Sequence, residues 1–199
     1  FPFATLGGSR LYGAGTNLKY YLVRGNQLVD ITPIRRTVTL GNDPFAIVNG
    51  SAIMTVTDVA NGSVVGDFVT FGGATTIGSS NVTATVLNAE YQIVSLIDAD
   101  TYTVTLPVVS DTTDTAGGGA AVDAAYQINV GLDTSAVGNG WGTGPWGENG
   151  WGEGSNVFVL TDVLRLWSED TFGEDLLFNP RGGGIYYKDM SGNIATRGV

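Results

Sequence analysis

Tyr91-Gln92-Ile93-Val94-Ser95-Leu96-Ile97 and Thr101-Tyr102-Thr103-Val104-Thr105-Leu106, separated by Asp98-Ala99-Asp100, decide the fold class. In the second run Tyr102, Val104 and Leu106 fall on one face and the threonines on the other. That is the period-two pattern of a half-buried strand. Asp98-Ala99-Asp100 is short enough to close a hairpin. Working outward, Ile53-Met54-Thr55-Val56-Thr57-Asp58-Val59 is β-branched and partly alternating, and Phe68-Val69-Thr70-Phe71 follows Gly66-Asp67. Val82 to Leu87 alternates Val, Thr and Ala and reads as strand, as does Ala125 to Val130. Five or six strands at roughly ten-residue spacing predict a small antiparallel β-barrel or sandwich. No helix of useful length is expected, and Asp162 to Trp167 is read as strand. Residues 111–123 are Thr, Asp, Gly and Ala with little to bury, so they read as a flexible loop.

Charge separates this middle from the ends. Every Lys and Arg lies in 1–36 or 165–199, whereas 37–164 carries 13 acids and no base. A composition shift this sharp predicts a module inserted between two flanks of another unit. In the first flank, Tyr20 to Ile31 reads as two short strands around Gly25-Asn26. A two-residue loop that begins with glycine suits a type II′ turn, which needs a positive φ at its first central position. In the second, Gly184 to Ile194 has the same plan, with Tyr186-Tyr187 running toward Gly192-Asn193. The two segments read as copies of one hairpin unit, of the kind that builds propeller blades or stacked sheets. The expected organisation is a blade-like hairpin unit at 1–36, an acidic β-barrel or sandwich at 37–132, a Gly/Trp-rich connector at 133–157 and a second hairpin unit at 158–199.

Composition narrows the chemistry. The chain has no cysteine and no histidine, which removes thiol nucleophiles, disulfides, imidazole bases and the usual zinc ligands. A net charge of −10 makes direct nucleic-acid binding unexpected, because phosphate contacts need clustered Lys and Arg. Arg24, Arg35, Arg36 and Arg181 are too few for such a surface, although a ring of identical subunits would multiply them. No apolar run approaches the roughly 18 residues of a membrane span, and no membrane partner is expected.

Carboxylates are the only acid–base material. Glu169-Asp170 and Glu174-Asp175 could serve a glycosidase only at a defined separation, and beside Arg165 and Arg181 they read as turn formers or ion-pair partners. Asp98 with Asp100, and Asp111 with Asp114, offer oxygen ligands without the full spacing of a calcium loop. Gly72-Gly73 and Gly182-Gly183-Gly184 lack the Lys-Ser/Thr of a phosphate loop. No catalytic residue, metal ligand or cofactor is therefore assigned, and the chain is expected not to be an enzyme.

Residues 138–155 place Trp141, Trp146 and Trp151 five apart, each followed by glycine. Large amphipathic rings on a glycine-rich backbone bury themselves on their own sheets or on a neighbouring subunit. Trp141, Trp146, Trp151, Trp167, Tyr186 and Tyr187 are the candidate interface residues.

Leu164 to Tyr187, with Trp167-Ser168-Glu169-Asp170, Phe172-Gly173-Glu174-Asp175 and Gly184-Ile185-Tyr186-Tyr187, resembles a segment recurring in structural proteins of tailed bacteriophages. The Trp-Gly stretch, and Asn17 to Pro33 with its Gly-Asn turn and Asp30-Ile31-Thr32-Pro33, are similar to the same group. Where that group often ends the pattern in aromatic-Trp-Asp, this chain has Tyr187-Lys188-Asp189. The resemblance implies a virion protein of the viral tail or head–tail connector, akin to nozzle-like β-propeller proteins. Its partners would be copies of itself and other virion proteins, and its location the virion. The chain starts at Phe1, and both ends break off inside hairpin-like units, so a piece of a longer polypeptide is expected. The alternative from a different class is an adhesin or glycan-binding β module, with a host-surface glycan as partner.

Overall fold

The computed structural model describes residues 10–75, 77–129, 166–180 and 182–199, and the backbone of 2–4, 135–137 and 158–160. Strands β1 (Pro2–Ala4), β2 (Arg10–Gly15), β3 (Tyr20–Arg24) and β4 (Gln27–Asp30) form an antiparallel meander in that order. The β3–β4 turn has its positive φ at Gly25, +58°, as the Gly-Asn reading requires. The middle of the chain supplies β5 (Ile34–Thr39), β6 (Phe45–Ile47), β7 (Ile53–Thr57), β8 (Phe68–Gly72), α1 (Ala84–Leu87), β9 (Glu90–Leu96), β10 (Thr101–Thr105), β11 (Asp114–Gly117) and β12 (Asp123–Gln127). Strands β13 (Ser135–Val137) and β14 (Phe158–Leu160) then pair antiparallel. Three more antiparallel strands are β15 (Trp167–Phe172), β16 (Asp175–Pro180) and β17 (Tyr186–Lys188).

The middle strands run in the order β11-β6-β7-β10-β9-β8-β12-β5. Strand β9 turns this single path into two layers. Its first half pairs with β8, Glu90 opposite Thr70 and Gln92 opposite Phe68, and its second half pairs with β10. The register shifts between Thr103 and Val104, where the bulge lets the strand change layers. The edge strands β5 and β11 do not pair with each other, so the sheet stays open. The fold is all-β, an antiparallel sandwich rather than a closed barrel. Its core joins Phe45, Met54, Val56, Tyr102 and Val104 of one layer to Val69, Phe71, Ala124 and Tyr126 of the other. Each of the Val, Met and Phe side chains among them contributes about 1.5–3 kcal/mol of hydrophobic stabilisation.

A second core lies between the chain's two ends. Leu11, Tyr20, Leu22 and Ile31 pack with Leu176 and Phe178, and Trp167, Tyr186, Met190 and Ile194 close around them. The last residues tie the two sheets. Gly198 N–H donates to the Ile31 carbonyl at 3.1 Å, and Tyr187 and Val199 exchange backbone bonds at 2.7 and 3.0 Å.

Three local expectations are corrected. Val82 to Leu87 is not a strand: Thr83 caps the single turn α1, its hydroxyl accepting from the Val86 N–H, and the turn buries Leu87. Residues 111–123 are not structureless, because β11 pairs with β6 as an edge strand. No strand follows Gly192-Asn193. There the Asp189 carboxylate accepts from the Ser191 N–H at 2.8 Å and holds a bend, and Val199 takes the place beside β17 that the hairpin reading gave to Ile194. Strand β5 begins at Ile34, three residues ahead of the change in charge at residue 37.

Candidate functional site: the aromatic flank core and its charged junction

Alternation places Tyr20 and Leu22 of β3 inward and Tyr21 and Val23 outward. Strand β16 does the same with Leu176 and Phe178. The Tyr20 and Phe178 rings stack with centroids 4.8 Å apart, Trp167 lies 5.0 Å from Tyr20, and Tyr186 lies 6.0 Å from Phe178. Trp167 Nε1 donates to the Thr16 carbonyl at 2.7 Å. Gly15 permits this approach, since a Cβ there would overlap the Trp167 ring. The Tyr20 hydroxyl donates to Glu169 Oε1 at 3.1 Å. Burial, reinforced by the Glu169 charge, pushes that phenol far above its ordinary value.

Of the candidate interface residues, Trp167 and Tyr186 are thus engaged within the chain. Tyr187 faces outward, its hydroxyl donating to Asp175 Oδ2 at 2.6 Å, which pushes the phenol up to about 12. Trp141, Trp146 and Trp151 lie outside the described residues, as do Arg165 and Arg181. The carboxylate pairs are divided by the pleat. Glu169 meets Tyr20 in the core, whereas Asp170 is exposed and accepts from the Thr171 N–H. Asp175 also accepts from the Met190 N–H at 2.9 Å. Asp98 and Asp100 hold their turn and the Ala60 N–H, Asp111 accepts from Ser79 and Ser80, and Asp114 accepts from the Ala116 N–H. Among the described residues, no group of three or more acids converges as a metal site would require. No helix among them is long and apolar enough to cross a membrane.

Where the two cores meet, four charges alternate around a closed ring. Lys19 donates to Asp30 at 2.9 Å and to Glu90, and Arg197 pairs with Asp30 and, at 3.4 Å, with Glu90. Lys19, Asp30 and Arg197 come from the ends of the chain, and Glu90 from the sandwich. Gln127 Nε2 donates to Glu90 at 2.5 Å, and the Lys19 ammonium also lies over the Phe68 ring. Burial alone would raise the Asp30 carboxyl, but bonds from Thr32, Lys19 and Arg197 outweigh it and hold the carboxyl below its ordinary value.

A second polar network sits inside the sandwich. Arg36 pairs with Asp58, Tyr126 donates to Asp58 Oδ2 at 2.6 Å, and the Tyr126 and Tyr102 hydroxyls lie 2.9 Å apart. Burial raises both phenols well above their ordinary values, helped at Tyr126 by the neighbouring Tyr102 and Asp58. Neither network was read from the sequence. Their members are spread over four or five segments, and no local spacing marks Lys19 or Asp58 as buried.

No protein-family model matches the chain, and no curated protein does. A solved chain, the endosialidase of phage phi92, is similar to this chain at a TM-score of 0.38 and 16% identity. The match covers 89% of this chain and 27% of that one, so this chain spans about a quarter of its length. A likeness of that size carries no argument about activity. The expectation that the chain is not an enzyme does not stand beside a neighbour that is by name an enzyme.

Proposed function

We propose that the chain is a β-structural component of a tailed-phage virion, of the tail or head–tail connector, which works by associating with copies of itself and with other virion proteins. One observation supports this reading above the others. The two segments that resemble phage structural proteins, 17–33 and 164–187, stand far apart in sequence yet build a single aromatic core from Tyr20, Leu22 and Ile31 with Trp167, Leu176, Phe178 and Tyr186. A shared core explains why both segments carry the pattern together. The division of labour proposed here gives association to this flank unit. The acidic sandwich is carried beside it, its charge favouring solubility.

Sedimentation of the purified chain over a range of concentrations tests this reading, together with a search for its peptides in purified phage particles. A discrete assembly of identical copies, and peptides in the particle, are expected. A chain that stays monomeric and is absent from particles would overturn the proposal.

A further inference from the structure

The two flank sheets meet inner face to inner face, and each leaves an apolar row on its outer face. On the first, Tyr12, Val23 and Leu28 stand directly opposite one another across β2, β3 and β4. Leu28 is 62% exposed and Tyr12 48%. On the second, Leu177 stands opposite Tyr187, and Phe172, 70% exposed, opposite Asp175. The charges beside these rows are opposite in sign. Arg10, on the Tyr12 side of β2, is exposed and outside every ion pair among the described residues, whereas Arg24 at the end of β3 alternates onto the Leu22 side. The second face carries Asp170 and Asp175. The first face is open only at this end, because at the other Lys19 and Asp30 meet Glu90 of the sandwich.

We propose that the Tyr12–Val23–Leu28 face of one copy docks on the Phe172–Leu177–Tyr187 face of the next. The occupant is a second copy of this chain, and the argument for it is charge. A face bearing Arg10 meets a face bearing Asp170 and Asp175, whereas two aspartate-bearing faces would repel. The contact continues across copies the sheet-on-sheet stacking already present within one. It joins two different surfaces, so it is heterologous and propagates into a ring if the rotation closes, or a tube if it does not. The inference rests on the self-associating reading above and gives it a surface.

Two surface variants of the whole chain test it, Leu28→Glu on the first face and Phe172→Lys on the second. Both positions are exposed, so the fold is expected to hold, which circular dichroism and thermal melting check. Each variant alone should self-associate roughly tenfold or more weakly than the parent, the effect of a lost interface anchor. Mixed, the two should form one-to-one pairs that go no further, because each retains one intact face. A parent that never associates overturns both this surface and the reading beneath it. Variants that assemble like the parent overturn the surface alone. Weakened variants that fail to pair on mixing reveal a like-face contact and overturn the head-to-tail geometry.

Discussion

Tyr20 and Glu169 are 149 positions apart and hydrogen-bonded at 3.1 Å. The bond crosses between the two sheets of the flank core, one built from the start of the chain and one from its end. The eight-stranded sandwich lies between them in the sequence.

Phe178 is the centre of that unit, in ring contact with Tyr20, Trp167 and Tyr186. Phe178→Ala should lower stability by about 3–5 kcal/mol through lost transfer energy and a cavity. Denaturant titration measures it. A loss below about 1 kcal/mol would mean that the two sheets are not held by this core.

Tyr126→Phe removes one hydroxyl that serves both Asp58 and Tyr102. Asp58 keeps Arg36 but loses a buried donor, so stability should fall by about 1–2 kcal/mol with the fold unchanged. Equilibrium unfolding beside a Val104→Ala control separates the polar loss from simple core truncation.

The raised phenols predict the alkaline limit. The ordinary tyrosine value is 10.0, and the folded chain holds Tyr20, Tyr102 and Tyr126 protonated well above it. The unfolded chain binds fewer protons there, so this stability is complete below pH 10 and declines as pH rises beyond it. Absorbance at alkaline pH should show these three tyrosines ionising together with unfolding. Gradual ionisation without loss of structure would contradict the burial. On the acid side, Asp30 is held below its ordinary 3.8, so its contribution is full above that value and fades as pH falls beneath it.

Glu90→Gln leaves Lys19, which is only 7% exposed, with Asp30 alone, and takes Arg197's second partner. Because Glu90 is itself about a third exposed, the loss should be modest, on the order of 1 kcal/mol, and should shrink as salt is added. Melting at low and high ionic strength reads both. A salt-independent effect would argue against a charge network.

The period-two pattern of Tyr102, Val104 and Leu106 made the sandwich legible, because alternation records directly which face is buried. All three are buried as read. The Gly25-Asn26 turn was legible for the same reason, since glycine marks a backbone need. Thr83 was not. One hydroxyl accepting from the Val86 N–H turned an apparent strand into a helical turn, and alternation cannot distinguish the two over six residues. The Gly192-Asn193 reading failed because the strand partner of Tyr187 came from Val199, a tertiary choice with no local signal. The charged ring was illegible for a related reason. Lys19, Asp30, Glu90 and Arg197 become neighbours only after both cores have formed.

Association of identical copies is the step on which the chain's proposed work depends. Its most direct test is the native mass of the assembled chain beside its denatured mass. A discrete, symmetric multiple of one chain mass is predicted. A single chain mass at every concentration would rule such association out.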